Sequence, residues 1–346
     1  MPTSPNDRDT RISALRGVLI FLVTLGHVIE WTAYPRIEGM AFRDPVFIGI
    51  YLFHVPLFFA VSGHLLGARD GTLGWGKGLR RMATLAVPCV AWFILTTIAL
   101  RARTWLVTGR FDASLPGWNA FSYGLAMHGW YVWCLCAFIL VLIATPGSKA
   151  AKALVLGLAT GALPLLPETN ILFLLQYAFP FLTLGYLYGA GMLRVKVGFP
   201  WVLRAALLLV SALVFLGWKP EDFVYFRGWS LHSGSYPEIG LRFAKQLVVT
   251  LTAADLLWLC CSRFPSRALA YLGDRTLFVY LSQNMLILAS VPLWKGLPLD
   301  HRAVVWLFCP VLALLVSIAC LGLERLASRH SMSAFLLGSR QMRSGS

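Results

Sequence analysis

Charge is scarce in this chain, and acidic charge is scarcer. Charged residues make up 13% of the sequence, about half of what a soluble globular domain carries. That shortfall excludes an enzyme with an ordinary solvated surface. Only 15 Asp and Glu stand against 30 Lys and Arg, a formal charge of +15. No zinc-finger spacing or aromatic strand motif accompanies the basic excess, so no nucleic-acid partner is expected. Cysteine is sparse as well. The seven cysteines lie in or beside apolar blocks, and neither Cys134-Leu135-Cys136 nor Cys260-Cys261 has the spacing of a zinc site. No structural disulfide and no metal are expected, and the thiols read as small buried hydrophobes. No small-residue cleavage site follows the first apolar segment, which therefore reads as a retained helix and not a signal peptide.

What the chain has in abundance is apolar length. Its residues are 58% hydrophobic and its mean hydropathy is +0.70. The apolar residues come in blocks of roughly 17 to 24, parted by short polar stretches, which is the pattern of an all-α polytopic integral membrane bundle. A membrane β-barrel would show alternating segments of about ten residues instead. Ten helices are predicted near 12–32, 46–67, 82–100, 122–144, 151–166, 171–192, 199–217, 242–261, 272–292 and 302–324. Basic residues gather in alternate connections, among them Arg11 and Arg16, then Arg69, Lys77, Arg80 and Arg81, then Lys149 and Lys152, then Arg263 and Arg267. The positive-inside rule makes that side cytoplasmic, and with ten spans both termini lie there. Arg101, Arg103 and Arg110 run against the rule in a loop shared with Asp112. The basic face would also meet anionic headgroups, making membrane lipids a partner. Residues 1–330 read as one integral membrane domain and 331–346 as a loose cytoplasmic tail.

One side chain stands out in the first apolar segment. His27 lies where an ionisable group is costly and usually faces a protein interior or a wet cavity. Eleven residues at about 100° each return it to nearly the face of Arg16, roughly 16 Å along the axis, and Glu30 follows one turn later. In the second segment His54 and His64 are about 15 Å apart along a helix, too far to serve one catalytic atom. His54 falls at the outer end. The Phe58-Phe59 and Ser62-Gly63 portion between them reads as packing with close helix approach. Two outer loops, 101–121 and 218–241, mix aromatics with charges, including Glu221 and Asp222. His128-Gly129-Trp130 sits at the outer mouth of the fourth helix. Aromatic faces stack on pyranose C–H surfaces and carboxylates take hydroxyls, which suits a sugar. An interfacial aromatic belt is the plainer explanation of the same residues.

Four stretches carry a family resemblance. They are Arg11-Ile12-Ser13-Ala14-Leu15-Arg16-Gly17 leading to His27, and His54-Val55-Pro56-Leu57-Phe58-Phe59-Ala60-Val61-Ser62-Gly63. They continue with Lys77-Gly78-Leu79-Arg80-Arg81 ahead of Pro88, and Leu272-Gly273-Asp274-Arg275-Thr276-Leu277-Phe278-Val279-Tyr280-Leu281. In this order and spacing the chain resembles the acyltransferase 3 family of membrane-bound O-acyltransferases. The resemblance implies transfer of an acyl group, acetyl from acetyl-CoA, to a hydroxyl of an extracytoplasmic or lipid-linked sugar of surface polysaccharide, in a bacterial inner membrane. It implies His27 as the base, with Glu30 either orienting it or facing water. It implies Arg16, Lys77, Arg80 and Arg81 for the coenzyme A phosphates, which arginine forks and lysine charges hold well. His54, His128, Trp130, Glu221 and Asp222 are the candidate acceptor contacts. The chain departs from the family at Gln283, where many relatives carry histidine, and at Thr276, where many carry serine. It also lacks the fused esterase-like domain of some relatives. A secondary transporter or flippase of a small molecule or lipid-linked glycan is the second reading. Paired interrupted helices in two related halves would mark it, and no such symmetry is seen. A non-catalytic part of a polysaccharide assembly is the third.

Overall fold

The computed structural model describes residues 5–34, 40–69, 74–109, 117–169, 171–194, 198–294 and 301–329, with Leu336. The predicted tail at 331–346, Leu336 apart, and the Arg110 and Asp112 portion of the outer loop lie outside the described residues. Among the described residues there is no strand. The helices are α1 (Pro5–Val28), α2 (Pro45–Tyr51), α3 (His54–Gly67), α4 (Trp75–Thr108), α5 (Trp118–His128), α6 (Trp130–Ala144) and α7 (Lys149–Ala162). They continue with α8 (Leu172–Gly189), α9 (Trp201–Leu216), α10 (Tyr236–Arg263), α11 (Arg267–Asp274), α12 (Thr276–Trp294), α13 (His301–Ala303) and α14 (Cys309–Ala327).

Each of the ten predicted helices falls on one of these or on a consecutive pair. By length and hydropathy, six helices among the described residues are able to cross a membrane, or seven if the pair α5 and α6 counts as one span. The gap from ten lies in the short helices. At 1.5 Å per residue, the 14 residues of α7 reach about 21 Å, short of the ~30 Å hydrocarbon core. Their faces nevertheless suit lipid. Leu209, Leu213 and Leu216 of α9 are exposed, and that helix buries none of its residues, the inverse of a helix on a water-soluble core.

Among the described residues three predicted helices break or bend, and a π-helical stretch, Val304–Phe308, interrupts a fourth between α13 and α14. The segment 46–67 is capped at Asp44, whose Oδ1 accepts from the amides of Val46 at 2.8 Å and Phe47 at 3.1 Å. It breaks at Phe53, so that Pro56 falls in the first turn of α3, where its missing N–H leaves no bond unmade. The segment 122–144 bends by 80° between α5 and α6. Gly129 stands at that bend, and a Cβ there would lie 2.1 Å from Cys89 Sγ. The late segment divides at Arg275 into α11 and α12.

The chain forms two compact units. One comprises Met1–Leu19, Phe42–Leu79 and Cys134–Asp274, the other Ile20–Ala41, Arg80–Trp133 and Arg275–Ser346. In the first, α3 and α8 pack glycine to backbone. A Cβ at Gly63 would lie 2.1 Å from the carbonyl oxygen of Leu182, and one at Gly185 would lie 2.0 Å from that of Ala60. Gly67 and Gly189 repeat the arrangement one turn further on. This is the small-residue packing through which membrane helices approach closely, as expected for Ser62-Gly63. The first half of α1 meets α11 in the same way. Gly17 faces the carbonyl of Leu269, Gly273 faces that of Ser13, and Ser13 Oγ donates to Asp274 Oδ1 at 2.6 Å. Two of the family-like stretches therefore touch through their glycines. An ion pair between Arg204 Nε and Asp255 Oδ2 at 2.5 Å ties α9 to α10. The Asp255 carboxylate also accepts the amides of Gly198 and Phe199.

The loop between α9 and α10 is packed. Trp218, Phe223, Trp229 and Ser230 are buried, and the aromatics meet one another or their unit. Trp229 lies edge-on to Tyr177 at 5.1 Å and Trp218 to Phe223 at 5.5 Å. Arg242 donates to the carbonyls of Arg227 and Gly228 at 2.7 and 2.8 Å. Ser230 Oγ donates to Glu168 Oε1 at 2.7 Å. Burial raises the Glu168 carboxyl, but hydrogen bonds from Ser233, Ser230 and the Ser230 and Gly228 backbone outweigh it and hold the group below its ordinary range.

In the second unit α12 packs on α14, with Arg275 Nε paired to the buried Glu324 at 3.2 Å. The Trp92 ring stands edge-on to Phe278 at 5.1 Å.

Candidate functional site

The end of α1 carries the densest chemistry of the second unit. His27 is in the last turn of the helix, and the chain continues as a π-helical turn, Ile29–Ala33. A π turn widens the helix and recurs at functional sites. Here it presents Glu30 to His27, with Nδ1 and Oε2 3.4 Å apart and side chains 22% and 38% exposed. A carboxylate at one ring nitrogen can hold the ring in one orientation and leave the other nitrogen free to meet a ligand.

Thr24, one turn before His27, is buried and donates to Gln283 Oε1 at 2.5 Å. Gln283 is fully buried on α12. One turn before it, the Tyr280 hydroxyl lies 3.4 Å from the His128 carbonyl and 3.4 Å from the Tyr131 amide. That places Tyr280 against the bend between α5 and α6. The His128 ring is tilted on Phe93 at 5.7 Å, and its imidazole is within electrostatic reach of His27. His27, Glu30, His128 and Tyr280 thus belong to one neighbourhood, built from the end of α1, the α5–α6 bend and one face of α12. Trp130, half-buried, opens α6 beside it.

The other candidate residues fall as follows. Arg80 is exposed and Arg81 half-buried near the start of α4 in the second unit. Arg16, half-buried, and Lys77, exposed, belong to the first unit. His54 is buried there, its Nδ1 2.8 Å from the Ile50 carbonyl and its ring edge-on to Tyr51 at 4.6 Å. Glu221 is exposed, while Asp222 Oδ2 accepts the Lys219 amide at 3.1 Å and closes its own short 3-10 turn. The buried aromatics of this loop face protein, leaving Phe226 and Tyr236 exposed.

Sequence reasoning did not single out Thr24. Its signal is its place three residues before His27, on the same helical face. Tyr280 and Gln283 were read only as motif positions, although their spacing also puts both on one face.

The family model for an acyltransferase domain matches residues 9–322, and the chain belongs to this family, acyltransferase 3. Membership makes it an acyltransferase. It is similar to nodulation protein NolL of Sinorhizobium fredii, with 27% identity over 311 residues, 84% of this chain and 82% of that protein. It is likewise similar to nodulation protein NolL of Mesorhizobium japonicum, with 26% identity over 300 residues, 82% of this chain and 78% of that protein. No solved structure matches the chain.

Proposed function

We propose that the chain transfers an acetyl group from acetyl-CoA to a hydroxyl of an extracytoplasmic or lipid-linked sugar of surface polysaccharide. The observation that carries this reading is the His27 imidazole beside Glu30 at 3.4 Å, at the end of an apolar helix in a chain of this family. His27 removes the proton of the sugar hydroxyl, and Glu30 orients the ring. General base action of this kind typically contributes 10²- to 10⁴-fold. His128 and Trp130 contact the acceptor beside His27, and His54, Glu221 and Asp222 are further acceptor contacts. Arg16, Lys77, Arg80 and Arg81 bind the donor phosphates. Calorimetry with acetyl-CoA tests this: Arg16→Ala and Arg81→Ala, each alone, should weaken binding about tenfold or more, since a charge-assisted hydrogen bond contributes about 1.5–3 kcal/mol. Wild-type affinity in both variants removes these arginines from the donor site.

The protein sits in a bacterial inner membrane with ten spans and both termini cytoplasmic. Cysteines introduced at Lys149, Pro220 and Trp118 and labelled from outside intact cells should react at 220 and 118 only. Labelling at 149 breaks the ten-span arrangement.

A further inference from the structure

Three polar atoms on α12 and at the α5–α6 bend are buried with no partner among the described residues: Gln283 Nε2, Asn284 Oδ1 and His128 Nε2. Leaving such an atom unbonded is costly, and each group of this kind calls for an explanation, a catalytic role among them. Gln283 is the best defined. It is fully buried, and its carbonyl oxygen is taken by the Thr24 hydroxyl at 2.5 Å. What remains is the amide N–H pair. Residues three apart on a helix are neighbours, with Cβ atoms about 5–6 Å apart. An amide held by Thr24 is therefore within about one turn of His27. It is neutral, rigidly anchored and withdrawn from water, and hydrogen-bond donors in such a setting act most strongly on developing negative charge.

We propose that the Gln283 side-chain amide donates to the thioester carbonyl oxygen as that oxygen takes up charge, and that Thr24 is the positioning residue that holds it. This rests on the reading of His27 as the base. In the step, the sugar hydroxyl oxygen forms a bond to the carbonyl carbon while its proton passes to His27. The carbonyl π pair moves onto oxygen, where the Gln283 N–H stabilises it. The pair then returns and the C–S bond breaks. The sulfur leaves with the bonding electrons and takes the proton back from His27, giving the sugar ester, coenzyme A thiol and neutral histidine.

Gln283→Glu is the discriminating variant. It keeps an oxygen for Thr24 to bond and removes both N–H donors. The full-length purified protein is assayed with acetyl-CoA and a surface-polysaccharide extract from cells that express it, reading thiol release and ester formed. Gln283→Glu should lower kcat and kcat/KM together by on the order of 100-fold, with KM for acetyl-CoA unchanged, as for an interaction made only in the transition state. Thr24→Val leaves the amide but not its anchor, and should lower kcat on the order of 10-fold. Wild-type kcat in a folded Gln283→Glu protein overturns the proposal. Should that variant not fold, wild-type kcat in Thr24→Val does so. His27→Ala in the same assay separates the two ideas. If it is inactive while Gln283→Glu is fully active, only the role of Gln283 falls. If it is itself fully active, the reading of His27 as base falls.

Discussion

Purified protein carrying His27→Ala is expected to lose acyl transfer by roughly 10²- to 10⁴-fold, the span that general base action covers, while remaining folded. The loss should appear in kcat and leave acetyl-CoA binding in place, because His27 acts on the hydroxyl and not on the donor phosphates. Folding should survive because the ring is half-buried, and its contact to Glu30 lies at 3.4 Å, the long end for a hydrogen bond. Glu30→Gln separates orientation from base strength: it keeps an acceptor beside the ring, removes the negative charge, and should cost less than His27→Ala. Normal kcat in His27→Ala, measured by ester formed per enzyme, would end the account.

Gly185→Leu should prevent the first unit from folding. The position leaves no room for even one carbon, since a Cβ would lie 2.0 Å from the Ala60 carbonyl oxygen and 2.7 Å from its carbonyl carbon. Those are backbone atoms of α3 and cannot rotate aside. The two helices would have to separate, and with them the reciprocal contacts of Gly63, Gly67 and Gly189. Inserting methylenes into a packed core costs about 1–3 kcal/mol where side chains can adjust, and here none can. Gly185→Leu should yield aggregated or degraded protein, and Gly185→Ala a protein of lowered thermal midpoint. A monodisperse Gly185→Leu protein with the wild-type midpoint would show that α3 and α8 do not pack this way.

Much of this was legible along the chain because helices announce themselves locally. The apolar blocks marked the helical segments, and the place of His27 in the first block made it the first candidate for a base. Ser62-Gly63 marked a close helix contact. The partners were not legible. Gly185 and Gly189 look like any glycines in an apolar helix, where the residue is merely tolerated. Thr24 and Gln283 are 259 residues apart, and no local pattern joins them. The bend at Gly129 was hidden because 122–144 reads as one continuous apolar run. The spacing of Glu30 one turn after His27 was legible, but the π turn that follows His27 was not, because it breaks the 3.6-residue period on which the reading relied. The aromatics between α9 and α10 fit either a sugar platform or an interfacial belt by composition. Their packing depends on Tyr177 and Phe243, on two different helices, so composition alone could not show that Trp229 faces protein.

The most direct measurement is made on cells. The gene is deleted and the surface glycans are examined by mass spectrometry and proton NMR. The account predicts that an O-acetyl signal disappears, returns with the intact gene, and does not return with His27→Ala. A glycan unaltered by the deletion, together with lost export of a small molecule or lipid-linked unit, would contradict it and point to a transporter.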